Sequence, residues 1–525
     1  MMRNLTPLML ASASAAMAAT GQATATESRT SESPRQPNIV LFLVDDMGWQ
    51  DTSVPFGPDT TAYNRMFHTP AMERLAASGM KFTQAYACSV SSPSRCSLFT
   101  GANAARHRVT NWTYARDESN DGVGPNDSIV PPEWNINGVQ RVPGIPRTYV
   151  GPSFVDELRQ GGYHTIHVGK LHLGSTRTPG EYPYNWGFDV NVAGGPNGGL
   201  ATYLSEKNYG HDEHGRATPR FAIEGLEKYW GSGTFVTEAL TQEALKELDR
   251  ARDYGTPWFL YMSHYAVHVP IDRDPRFYQS YIDRGYSPKE AAYASLVEGM
   301  DKSLGDILDW LDKTGEADNT IVIFMSDNGG LGAHGGWREG PQHTQNAPLR
   351  SGKCSLLEGG IREPMIVRWP GHTEPGSVQP RYVMIEDFYP SIMEMAGLSA
   401  DSIRPDGKII DGKSFVPLID GTSDPSAHRP LYWNFPNHWG VEGPGINFNT
   451  AIRLDNYKLI YNYATGEKEL YDVGSDITES YNLAAERPDL VKDLSHRLGT
   501  YLRSVDAQRP SLRSTGKPLP WPDEK

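Results

Sequence analysis

Four short apolar runs, each ending abruptly at polar and ionisable residues, constrain this chain more than any other feature. Asn38–Val44 runs into Asp45-Asp46, His164–Val168 into Gly169-Lys170-Leu171-His172, Trp258–Met262 into His264 and His268, and Thr320–Met325 into Ser326-Asp327-Asn328. Continuous apolar runs of this length suit strands covered on both faces. The segments between them carry helix punctuation. Ser287-Pro288-Lys289-Glu290 is a capping box with proline at the first helical position. Leu296, Met300, Leu304, Ile307, Leu308 and Leu311 follow at helical spacing, and Gly315 supplies the stop. Ser153 opens a shorter helix that ends near Gly161-Gly162. Strands alternating with helices predict an α/β fold: a large mixed, mostly parallel sheet sandwiched by helices. Such sheets place their sites at the C-terminal edge. One Asp or His at a strand end is ordinarily a cap or turn residue. Four such ends together call for a shared site.

The pattern changes near residue 429. Ala451–Leu454 and Tyr457–Tyr461 flank Asp455-Asn456, a hairpin turn signal, Glu469–Asp472 follows, and Val491, Leu494, Leu498, Tyr501 and Leu502 mark one amphipathic helix. The expected organisation is a catalytic domain over 37–428 and a smaller antiparallel sheet with a helix and tail over 429–525. Met1-Met2-Arg3, a short apolar stretch and the small-residue exit Ala15–Ala19 read as a signal peptide over 1–19, with a flexible lead-in over 20–36. The apolar content is too short for a spanning helix. An exported chain, periplasmic or secreted and without stable membrane insertion, is expected. Cys88, Cys96 and Cys354 are the only cysteines, which excludes a disulfide framework and zinc spacing. With 49 Lys+Arg against 63 Asp+Glu, the net charge of −14 argues against a nucleic-acid binder.

The most specific segment is Ser91-Ser92-Pro93-Ser94-Arg95-Cys96-Ser97-Leu98-Phe99-Thr100-Gly101. It resembles the signature of the type I, formylglycine-dependent sulfatases of the alkaline phosphatase superfamily, with Ser91 at the nucleophile position. Asn346-Ala347-Pro348-Leu349-Arg350 with Lys353, Glu358-Gly359-Gly360-Ile361-Arg362 with Pro364, the opening Asp45-Asp46, Gly169-Lys170 with His172, His268 with Pro270, Asp327-Asn328 and Glu469–Asp472 are similar to that family as well. The resemblance runs from about residue 37 to 500 and implies an alkaline-phosphatase-like fold.

An unmodified serine can attack sulfur or phosphorus, but water must then clear its adduct. The resemblance implies instead that Ser91 is oxidised to formylglycine by a radical S-adenosylmethionine maturase, the bacterial partner for a serine at this position. Asp45, Asp46, Asp327 and Asn328, with Ser91 itself, supply hard oxygen ligands that suit Ca²⁺, with Mg²⁺ as the alternative. By the same resemblance, Arg95 anchors the nucleophile and the metal side. Lys170 and Lys353 neutralise the sulfuryl oxygens, His172 is the base that releases sulfate, and His268 with Lys353 serves the leaving alkoxide. Departures occur at Leu171, Val267 and Cys354, where many relatives have Trp, Pro or Thr, and Gly.

The long irregular segment Asn111–Val150, with Trp112 and Trp134, is expected to wall the substrate cleft. His334, Trp337 and Arg338, and the run Trp433–Trp439, are further candidates. Aromatics with Asn, His and Arg suit a sulfated carbohydrate, so the expected reaction is hydrolysis of its sulfate esters. The rivals are a phosphate or phosphonate monoester hydrolase of the same superfamily, and a non-catalytic sulfated-glycan binder if Ser91 is never matured. Global acidity disfavours loose binding along a polyanion, whereas a local cluster of cations captures one sulfate.

Overall fold

In the computed structural model, which describes residues 35–122, 128–218, 220–332, 337–398 and 409–524, strand β1 (Asn38–Val44) is buried along its whole length. Its side chains alternate between two cores. Ile39, Leu41 and Leu43 enter one, and Val40, Phe42 and Val44 the other. That is the burial a strand needs when helices cover both faces of its sheet.

The sheet comprises β1, β2 (Met80–Tyr86), β3 (His164–Gly169), β4 (Val190–Val192), β5 (Trp258–Ser263), β6 (Thr320–Ser326), β7 (Arg362–Arg368) and β8 (Ser377–Met384), in spatial order β8-β2-β7-β6-β1-β5-β3-β4. β7 runs antiparallel to both its neighbours, and the remaining pairings are parallel. The four apolar runs of the sequence are therefore the contiguous parallel strands β6-β1-β5-β3. Register pairs Phe42 with Phe324 across β1 and β6, and their rings stack 5.7 Å apart.

On one face lie α1 (Pro70–Ser78), α4 (Val236–Asp253) and α5 (Pro288–Thr314), contributing Leu75, Leu240 and Leu304 to the core. Ser287 caps α5 by accepting from Glu290 N, and Gly315 ends it in a left-handed conformation, as the punctuation predicts. On the other face lie α2 (Ser91–Thr100), α3 (Phe154–Gln160) and α6 (Phe388–Met395), with Phe99, Phe154 and Phe388 in the core.

The smaller sheet is antiparallel in order β9 (Leu431–Phe435), β10 (Asn449–Leu454), β11 (Tyr457–Asn462), β12 (Lys468–Asp472). Asp455-Asn456 forms the two-residue turn between β10 and β11. Leu494, Leu498 and Leu502 of α7 (Pro488–Ser504) pack on Ile452, Leu459 and Leu470. A buried ion cluster ties this sheet to the larger one. Lys458 of β11 donates to Glu358 at 2.8 Å and pairs with Glu479 at 2.6 Å, and Tyr86 of β2 donates to the second oxygen of Glu358 at 2.6 Å. From Gln36 on, the chain is one compact unit. The expected signal peptide and nearly all of the lead-in lie outside the described residues. Among the described residues no helix is long and apolar enough to cross a membrane.

Candidate active site

Because β6, β1, β5 and β3 are adjacent and parallel, their C-terminal ends deliver polar residues to one edge. β1 supplies Asp45 and Asp46, β6 supplies Asp327 and Asn328, β3 leads to Lys170 and His172, and the segment after β5 brings His268. His264 does not join them; it is buried, with Nε2 2.8 Å from Ser303 Oγ.

Ser91 arrives from the opposite face as the first residue of α2, a helix in which every residue is buried. The motif residues around it have visible structural duties. Ser94 Oγ accepts from Cys88 N at 3.0 Å and so fixes the turn into the helix. Gly101 ends the helix at φ 66°, a conformation that costs glycine little. Arg95 ties strand ends together: Nε donates to Asp327 Oδ2 at 2.9 Å, and Nη1 to Ser263 Oγ at 2.6 Å and to the Lys170 carbonyl at 3.2 Å.

At the centre, Ser91 Oγ is 3.1 Å from Asp45 Oδ1, 3.0 Å from Asn328 Oδ1 and 3.1 Å from Lys170 Nζ. Lys170 donates to Asp45 Oδ2 at 2.7 Å, Lys353 to Asp46 Oδ2 at 2.8 Å, and Asn328 Nδ2 to Asp46 Oδ1 at 2.8 Å. Carboxylate oxygens of Asp45, Asp46 and Asp327 lie within 4.8 Å of one another, and all three residues are buried. Three carboxylates converging with an amide and a hydroxyl oxygen, and no soft donor among them, form a set that fits a hard divalent cation.

The buried charges shift one another's acidity. Burial pushes the Asp45 carboxyl up to about 7, against the pull of Lys170. Burial acts the same way on Asp46, but Lys353, His268 and Lys170 outweigh it and hold that carboxyl well below the usual range. Burial lowers Lys170, whereas at Lys353 the attraction of Asp46 and Asp45 overcomes burial and raises it. Both histidines are driven toward the neutral form. Burial and Lys170 push His172 far down, and burial and Lys353 bring His268 to about 3.

Their tautomers follow from their partners, since a carbonyl only accepts. His172 Nε2 donates to the Thr113 carbonyl at 2.8 Å and lies 3.0 Å from Ser92 Oγ, which leaves the Nδ1 lone pair without a partner among the described residues. His268 Nδ1 donates to the Val269 carbonyl at 2.7 Å, and its Nε2 faces Asp46 Oδ2 at 3.7 Å.

A cleft of about 340 Å³ opens above these groups. Asp46, Ser91, His172, His268 and Lys353 form its floor, and half-buried Trp112, Phe221 and Trp439 its walls. Of the expected substrate residues, Trp337 lines the cleft and is 41 % exposed. Arg338 does not line it. The guanidinium is buried 3.9 Å from the Tyr293 ring centroid and paired with Glu290 at 3.0 Å, so its charge is spent inside the protein. His334 lies outside the described residues. Within the long segment Asn111–Val150, Trp112 and Asn120 reach the cleft, while Trp134 and also Trp433 are core residues. Cys88, Cys96 and Cys354 are buried free thiols, so Cys96 and Cys354 do not pair. Cys354 has φ 70°, a left-handed conformation that glycine adopts at least cost.

Sequence reasoning does not flag Gly198, Gly199 or Phe221. The glycines had a signal in the run Gly194-Gly195-Pro196-Asn197-Gly198-Gly199, because repeated glycine marks close backbone approach. A Cβ at Gly198 would meet His172 Cε1 at 2.5 Å, and one at Gly199 would meet His268 at 2.8 Å. Nothing in the pattern around Phe221 points to the cleft.

Comparison with known proteins agrees with this geometry. Residues 37–398 match the family described as Sulfatase, and residues 352–507 match the C-terminal region of N-sulphoglucosamine sulphohydrolase. A sulfatase of Formosa agariphila is 29% identical over 541 residues, covering 93% of this chain and 92% of its own. The N-acetylgalactosamine-6-sulfatase of Rattus norvegicus is 32% identical over 439 residues, covering 79% and 75%. The fold is shared with Ps i-CgsB, solved in complex with k-i-k-neocarrahexaose (TM-score 0.67, 24% identity, 89% and 93% covered). It is also shared with the phosphonate monoester hydrolase of Agrobacterium radiobacter (TM-score 0.57, 18% identity, 91% and 99% covered). The chain belongs to the sulfatase family, enzymes that hydrolyse sulfate esters.

Proposed function

We propose that this protein hydrolyses sulfate esters of a carbohydrate, with residue 91 as nucleophile after oxidation of Ser91 to formylglycine and with Ca²⁺ held by Asp45, Asp46, Asp327 and Asn328. The observation that carries this reading is the place of Ser91 Oγ, within hydrogen-bond reach of Asp45, Asn328 and Lys170 at once. Maturation removes two hydrogens from the Ser91 hydroxymethyl group, their electrons passing to the radical S-adenosylmethionine maturase. In the mature site, formylglycine supplies a hydrated aldehyde as nucleophile and the cation polarises a sulfuryl oxygen.

The chain's own residues do the rest. Lys170 and Lys353, already paired with Asp45 and Asp46, carry fixed positive charge toward the sulfuryl oxygens, where charge develops in the transition state. Arg95 holds Asp327 in place and ties it to β5 and β3. His172, neutral with its lone pair on Nδ1, accepts the proton whose removal releases sulfate. His268 takes a proton at Nε2 when the anionic ester stands against it, and passes that proton to the departing alkoxide. Trp112, Phe221 and Trp439 offer ring faces to the apolar faces of a sugar. Relatives named N-acetylgalactosamine-6-sulfatase and a neighbour solved in complex with k-i-k-neocarrahexaose support the saccharide class. Export by the segment 1–19 belongs to the same proposal.

The second reading, a phosphate or phosphonate monoester hydrolase, is favoured by the shared fold of the phosphonate hydrolase. A third, a binder of sulfated glycans, applies where Ser91 stays unoxidised. Sulfate, phosphate and phosphonate monoesters assayed side by side on maturase-treated protein test all three. Sulfate turnover at least a hundredfold above the others is expected; faster phosphoryl or phosphonyl turnover overturns the proposal.

A further inference from the structure

Across Phe221 from the catalytic cleft lies a second, larger cavity of about 600 Å³ that has no part in the hydrolysis described above. Its volume is in the range of small-molecule sites. Phe221 lines both cavities. Its ring packs edge-on against Tyr114 at 4.7 Å and lies 6.4 Å from Trp112, so an aromatic wall continues from one cavity into the other. Exposed Tyr182 adds a further ring to the second cavity.

The segment that carries Phe221 is held in an unusual conformation. Arg220 and Phe221 are consecutive non-glycine residues at φ 73° and 69°. Ala201 N donates to the Phe221 carbonyl at 2.9 Å and Asn197 Nδ2 to the Ala222 carbonyl at 2.8 Å, which keeps the backbone there. Left-handed non-glycine residues persist only where surroundings over-determine them, as at ligand clamps. The result is that the Arg220 guanidinium stands over the Tyr114 ring, 5.8 Å from its centroid, and lines the second cavity. In a chain with an excess of carboxylates it has no carboxylate partner among the described residues. Of the two carboxylates that line the same cavity, Glu224 faces His211 at 3.3 Å and Glu181 is buried beside Tyr182.

We propose that this second cavity is a subsite for the sugar residue next to the one carrying the target sulfate, and that Arg220 selects a neighbour bearing an anionic group, either sulfate or carboxylate. The proposal rests on the reading of the substrate as a sulfated saccharide. Aromatic faces at Tyr114, Tyr182 and Phe221 suit a pyranose ring, and the planar fork of arginine matches the paired oxygens of both anions.

The test uses maturase-treated protein with N-acetylgalactosamine 6-sulfate and galactose 4-sulfate. Each is offered alone and in disaccharides whose neighbouring residue carries sulfate, carboxylate or hydroxyls only. The wild type is expected to favour the anionic disaccharides over the monosaccharide in kcat/KM by about tenfold, mainly through KM. Arg220→Gln is expected to abolish that ratio and Arg220→Lys to retain part of it. Whichever anionic disaccharide loses more in Arg220→Gln identifies the recognised group. Calorimetry of the same disaccharides on unmatured protein reads binding apart from turnover, with an expected tenfold weakening in Arg220→Gln. An unchanged ratio and unchanged affinity in Arg220→Gln, with saccharide turnover intact, overturns the subsite alone. Turnover of aryl sulfates with none of any sulfated saccharide overturns the substrate reading along with it.

Discussion

The Nζ of Lys170 lies 2.7 Å from Oδ2 of Asp45, with both side chains fully buried. This pair sets the charge beside Ser91. Removing one partner of a buried pair leaves the other uncompensated and costs about 3–5 kcal/mol. Lys170→Met is therefore expected to lower the melting temperature and also to reduce kcat by about 10²–10³-fold, the usual loss when one transition-state donor is removed. Steady-state kinetics and a thermal melt on the same matured preparation check both effects.

Cation removal acts on the same cluster from the other side. Oxygens of Asp45, Asp46 and Asp327 converge within 4.8 Å of one another, a geometry that only the folded chain offers, so a divalent ion bound there would stabilise the fold. Calcium at a hundred times its dissociation constant is expected to add about 2.7 kcal/mol of stability, and chelation to remove it together with activity. Asp327→Asn is expected to weaken the calcium dependence of the melt. A melting temperature indifferent to calcium and chelator contradicts the metal assignment.

Gly198 sets the position of His172 rather than contributing any chemistry. A methyl group there would sit 2.5 Å from the imidazole, so Gly198→Ala is expected to displace the ring. Misplacement on this scale costs about 10²-fold in rate. The expected signature is a fall in kcat with an unaltered melting temperature, measured against the wild type.

Glu243 of α4 gives a pH dependence remote from the site. Burial raises its pKa, but hydrogen bonds from Lys228, Lys246 and Tyr229 prevail and bring it from the usual 4.5 down to about 2. A carboxyl depressed on folding stabilises the protein above its unfolded value, and that contribution disappears as the pH falls toward the folded value. Wild type is expected to be more stable than Glu243→Gln at pH 7, with the gap closing between about pH 5 and 2. Urea unfolding of both proteins across that range measures it. The flanking lysines are half exposed, so added salt is expected to shrink the gap.

Much of the site was legible because its residues follow apolar runs that can only be buried strands. Val44 to Asp45 and Ser326 to Asp327 are abrupt changes from core to charge, and register places them side by side. β2, β7 and β8 were harder to read, since β2 mixes buried and half-buried positions, β8 mixes buried and exposed ones, and β7 carries Arg362 and Glu363. Arg338 shows the limit for single residues. Its partner Glu290 lies 48 positions earlier on α5, a relationship that no local pattern contains. Phe221 likewise acquires its place only through the backbone conformation it shares with Arg220.

The most direct test of the account is the amount of inorganic sulfate released from a sulfated saccharide, followed against the fraction of the Ser91 peptide that mass spectrometry finds lighter by two hydrogens. Turnover proportional to that fraction, and zero when it is zero, is the predicted result. Full turnover by protein whose Ser91 is unmodified would contradict it.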